Sequence, residues 1–73
     1  MDNKFDTLKN QVQQIIDLIA AHHDTEANNA LLIASETLDE ILDHSDDDDD
    51  LIEVSKYQVL LNQLQQKLIA RSN

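Results

Sequence analysis

The chain has 73 residues, a formal net charge of −10, and neither cysteine, glycine nor proline. At that length one hydrophobic core is the limit and it buries only about 60 to 65% of the unfolded surface, which disfavours an enzyme with a deep pocket. The missing cysteines exclude disulfides and thiolate chemistry, the missing glycines and prolines argue against hairpins and phosphate-cradling loops, and the acidity disfavours direct nucleic-acid or membrane binding.

The first run, over about residues 3–22, places Phe5, Leu8, Val12, Ile15 and Ile19 at steps of three and four, the signature of one apolar helical stripe. Ile16 and Leu18 flank and widen that stripe. Asp2 and Asp6 fall where the positive end of a helix dipole favours carboxylates. The rhythm stops between His22 and Glu26, where Asp24 or Thr25 is suited to cap a second helix, and so short a link implies an antiparallel neighbour.

The second run, about 26–44, repeats the spacing with Ala27, Leu31, Ala34, Leu38 and Ile41. Its two alanines allow a neighbouring backbone to come close. An aspartate run then occupies about 45–50 and is expected as a solvated loop, since adjacent aspartates repel and are poor in helix interiors. If the later aspartates are already helical, the link shortens to about four residues. The third run, about 51–71, carries Val54, Tyr57, Leu61, Leu64 and Leu68 in register, with Leu60 beside them and Lys67 and Arg71 near the end that favours cations.

Three amphipathic helices with short links predict an all-α chain, a single domain folded as an up-down-up three-helix bundle that either stands alone or dimerises. With no run of roughly 18 apolar residues to span a membrane, a soluble, cytoplasmic, bacterial protein is expected.

Charge is placed unevenly. Residues 25–50 hold ten acids and no base, whereas 51–73 hold one acid and three bases. The expected partner is therefore a protein with a basic surface. Candidate contacts are the carboxylates Glu36, Asp39, Glu40 and Asp43 of the second run together with Asp46, Asp47, Asp48, Asp49 and Asp50. Off the apolar stripes, Leu32 and Ile33 point away from the core, and Ile52 and Val59 stack seven apart on the outside of the third run. Either bundle twist buries these four, or they mark an interface with a partner or a second copy.

No metal or cofactor is expected. A calcium loop started at Asp43 would put Asp48 at its sixth place and Val54 at its twelfth, where glycine and glutamate are needed. His22 and His23 diverge by about 100° on a helix, which separates them as ligands of one ion. Ser35 and Asp39 share a helical face with Glu36 beside them, but no histidine has the spacing to activate the serine, so no catalytic residue is assigned.

The stretch Ser35–Leu42, SETLDEIL, resembles the S-Q-E-L-D motif in the second helix of the small sporulation aspartyl-phosphate phosphatases. The match covers Ser35, Leu38 and Asp39, with Glu36 and Thr37 standing where that family has Gln and Glu. The resemblance implies a helical hairpin acting on a phosphorylated response regulator. The order of a hairpin, a polar loop and a long helix bearing a tyrosine, here Tyr57, is also similar to the helical immunity proteins of bacteriocin producers. That resemblance implies a protective binding role. The reading adopted is a small antagonist, adaptor or chaperone without enzymatic activity.

Overall fold

The computed structural model describes residues 4–71 and contains three helices, α1 (Asp6–Ala20), α2 (Asp24–Asp43) and α3 (Asp48–Arg71). They form the up-down-up bundle that the three stripes predict, with no strand among the described residues. α2 is the shared element, packed along both α1 and α3, whereas α1 and α3 approach each other at few places.

The core follows the expected register. Leu8, Val12, Ile15 and Ile19 of α1, the five stripe residues of α2, and Val54, Leu61, Leu64 and Leu68 of α3 are all buried, with Phe5 closing one end. Tyr57 is half-buried, and its ring stacks on Phe5 with centroids 5.8 Å apart. Leu18, Ala30 and Leu60 lean on the cluster from its edges, while Ile16 lies outside it and is exposed. Ala27 and Ala34 are completely buried, as expected of stripe positions that let a neighbouring backbone come close.

The boundaries differ from the sequence reading in four places, the first being that α1 begins at Asp6 instead of about residue 3. α1 ends at Ala20 instead of about residue 22, because its terminal carbonyls are closed by backbone amides in a Schellman turn. His23 N–H donates to the Leu18 carbonyl at 2.9 Å and His22 N–H to that of Ile19 at 3.1 Å. His22 takes the left-handed conformation this turn requires, with φ 63°, the place glycine usually fills. The two histidines thus cap α1 through their amides.

α2 begins at Asp24, two residues earlier than expected, with His23 at its N-cap and no side-chain cap. Asp24 is therefore inside the first turn beside Glu26, where both carboxylates meet the positive end of the dipole. At its far end the Ser45 hydroxyl donates to the Ile41 carbonyl at 2.6 Å.

The aspartate run is not wholly a loop. Asp48, Asp49 and Asp50 form the first turn of α3, and Asp47 lends its carbonyl to the Leu51 amide at 3.1 Å. This is the short-link alternative: a first-turn carboxylate is stabilised by the free amides, and Lys4 forms an ion pair with Asp50 that removes part of the repulsion. Asp2, expected in the first turn of α1, lies outside the described residues.

Candidate functional site

Helical geometry sorts the candidate residues onto two edges of α2. At 100° per residue, Leu32, Glu36, Asp39 and Asp43 fall within an arc of about 60° opposite the buried stripe, and Glu40 lies about 100° round from Asp39. All five are exposed. Asp39 borders a shallow depression between α2 and α3 together with Ser35, Gln58, Asn62 and Gln65. Asp39 is thus the member of this acidic wall that borders α3, while Glu36 and Asp43 point away from the core.

Ile33 does not belong to that wall. It sits on the opposite edge of α2, where it borders a depression with Leu18 and Ala30 on the α1 side. On α3, Ile52 and Val59 stand on the outer surface as their spacing predicts. Twist does not bury the four off-stripe residues: Leu32, Ile33, Ile52 and Val59 are 59, 54, 56 and 57% exposed. Sequence reasoning missed Ile69, 56% exposed and beside the junction of α3 with the start of α2. Its place directly after Leu68, which turns it about 100° off the buried stripe, is the signal that would have found it.

The distribution of cations decides which carboxylates are available. Lys4 pairs with Asp50, Lys56 with Glu53 at 3.2 Å, and Arg71 with Asp24 at 3.2 Å. Asp50 is half-buried as well, so it serves the fold and leaves the candidate contacts. Among the described residues, no cation pairs with Glu36, Asp39, Glu40 or Asp43, nor with Asp46, Asp47, Asp48 or Asp49. In chain order these exposed side chains make a negative strip from the second half of α2 across the link to the first turn of α3.

Arg71 does something sequence position alone did not suggest. It was expected to complement the dipole of its own helix, but its guanidinium crosses to the α1–α2 turn. There it donates to the Ile19 carbonyl at 2.7 Å, contacts the His22 Nδ1, and lies at ion-pair distance from the Asp24 carboxylate without hydrogen-bond alignment to it. Arginine has no acceptor, so His22 Nδ1 accepts in this contact.

Among the described residues no three His, Asp or Glu side chains converge as a metal-binding group, and no helix is long and apolar enough to cross a membrane. Ser35 and Asp39 do share the α2–α3 depression, as their four-residue spacing predicts, with carboxamides supplied by α3. Comparison with known protein families, with curated proteins and with solved structures finds no match for this chain.

Proposed function

We propose that this protein is a non-enzymatic binding module whose acidic strip docks on the basic surface of a partner protein, in the manner of a small antagonist, adaptor or chaperone. The observation that carries the reading is the run of exposed carboxylates from Glu36 to Asp49 with which no cation pairs among the described residues. Unneutralised charge of one sign raises the local concentration of an oppositely charged partner and orients it before contact, and exposed aliphatic groups nearby then supply affinity as they lose water. The test is retention of host proteins by the immobilised chain at about 50 and about 300 mM salt, conditions that differ strongly in screening. A partner held at low salt should be lost at the higher salt and also on combining Glu36→Gln, Asp39→Asn and Asp43→Asn. Retention unaffected by both changes would overturn the reading.

A second reading follows from Ser35 and Asp39 bordering one depression with Gln58, Asn62 and Gln65. A carboxylate and carboxamides together can orient a water molecule, which is the requirement for hydrolysing an aspartyl phosphate in a bound response regulator. This reading expects the unmodified chain to shorten the lifetime of a phosphorylated regulator and Asp39→Ala to abolish the effect with helicity intact. No acceleration by the unmodified chain would remove it.

A further inference from the structure

The side of the bundle away from α2 is the least closed, because α1 and α3 each pack on α2 and approach each other at few places. An apolar depression lies between them, with Ile16, Ile19 and Ala20 on its α1 wall and Leu64 and Lys67 on its α3 wall. Ile16 is 40% exposed at its rim. Lys9 stands about two helical turns before Ile16 on the same edge of α1. Among the described residues neither Lys9 nor Lys67 enters an ion pair, so the cations left over in this acidic chain both belong to this side.

The α3 wall has an ordered charge pattern. At 100° per residue, Asp49, Glu53, Lys56, Leu60, Lys67 and Arg71 fall within an arc of about 60°. The acids of this arc precede its bases, and Leu60 lies midway, with Glu53 seven residues before it and Lys67 seven after. A strip of that order is its own complement when a second copy is laid beside it antiparallel: a two-fold axis at Leu60 sets Glu53 of each copy against Lys67 of the other. Parallel pairing would set acid on acid. Within the chain Glu53 pairs with Lys56 in an exposed i,i+3 contact at 3.2 Å, an arrangement of little worth that is readily exchanged.

We infer that a second copy of this chain covers the α1–α3 side, its α3 lying antiparallel to this α3 across a two-fold axis at Leu60. Leu60 then meets Leu60 of the second copy, Ile16 is sheltered at the flank, and a Glu53–Lys67 ion pair forms at each end. Charge selects both the occupant and the face. Two copies meeting through α2 would bring unpaired carboxylates together, and a basic partner would meet Lys9 and Lys67 here, whereas the α3 strip and its own copy match sign for sign. The inference does not rest on the acidic docking reading, since the outer surface of α2 stays uncovered in such a dimer.

The experiment is sedimentation equilibrium of the full chain between about 5 and about 500 μM, which brackets the affinities of modest interfaces. The chain should show a reversible monomer–dimer equilibrium with its Kd inside that range. Glu53→Lys and Lys67→Glu should each raise Kd about tenfold, because the two-fold axis turns each single change into two like-charged contacts. Combining them re-forms the pair with its signs exchanged and should return Kd to within about threefold of the unaltered value. Glu53→Lys also makes the chain less acidic, so a response to net charge alone would run the other way. Ile16→Ser should weaken the dimer, and Ile33→Ser, on the far edge of α2, should leave it unchanged. Neither Glu53 nor Lys67 is buried, and circular dichroism checks that the variants keep their helicity.

Three results would overturn the inference. A chain that stays monomeric at about 500 μM has no such interface. A dimer whose Kd is not restored by the combined exchange lacks the Glu53–Lys67 pairing. A dimer weakened by Ile33→Ser as much as by the charge variants is built on another face.

Discussion

Replacing Arg71 by methionine keeps the aliphatic stem and removes the guanidinium, so it tests what the crossing contact contributes. The Ile19 carbonyl would lose a charged donor at 2.7 Å, and the Asp24 carboxylate a cation at 3.2 Å. A hydrogen bond from a charged group is worth about 1.5 to 3 kcal/mol net when sheltered; the Arg71 side chain is 24% exposed, which places it at the lower end. Asp24 is 40% exposed, so its ion pair is screened and adds no more than about 0.5 kcal/mol. The expected loss is about 1.5 kcal/mol. For a domain of this size that lowers Tm by about 6 to 12 °C. Thermal unfolding followed by circular dichroism reads the shift, and a double-mutant cycle with Asp24→Asn should give a coupling of about 0.5 kcal/mol or less. A fall in Tm under about 3 °C, or a coupling as large as the whole loss, would refute the assignment of the stabilisation to the Ile19 carbonyl.

Other perturbations probe the turn, the close approach and the charge. His22→Gly removes the cost of a left-handed non-glycine residue, about 1 kcal/mol, and should raise Tm by a few degrees despite the lost contact with Arg71; the gain should be larger in the Arg71→Met background, and a lower Tm in both would contradict the turn assignment. Ala34→Leu forces a larger group into a fully buried site and should cost about 1 to 3 kcal/mol in urea unfolding, whereas an unchanged midpoint would mean that α2 does not approach its neighbours there. Raising salt from about 20 to about 300 mM should increase Tm, because screening relieves repulsion within the acidic strip more than it weakens the few ion pairs. A decrease would show those pairs to dominate.

The parts of the fold legible in the sequence were those set by periodicity. Ile15, Leu38 and Leu61 are buried because each sits in a stripe of threes and fours that no other packing of a helix would hide. Helix ends were less legible, since they depend on where orphan amides and carbonyls find partners. Without a glycine to mark the end of α1, the left-handed His22 gave no local warning. Asp48 to Asp50 were expected as loop on interior propensity with the helical alternative left open, and the first turn of α3, which follows the dipole, is that alternative.

For the candidate surface, register placed Leu32, Ile33, Ile52 and Val59 outside the stripes but left open whether twist would bury them, and the structure leaves all four exposed. Which of them share a surface did not. That depends on the handed arrangement of α1 and α3 around α2, which sets Ile33 on the α1 side beside Leu18 and Ala30. The reach of Arg71 to a residue 52 positions earlier is likewise a product of tertiary placement.

Because the outer helices seldom meet, the architecture amounts to two hairpins that have one rod in common. Loosening α3 from α2 would leave most of the α1 contact in place, so the cost of such an excursion is confined to one seam. The crossing arginine then acts as a latch at the blunt end of that seam, opposite the tip where the aspartates crowd together. Opening would start at the latch, since at the other end the four-residue link, the Lys4–Asp50 pair and the Phe5–Tyr57 stack tie α3 down, and this gives the molecule a direction in which it yields.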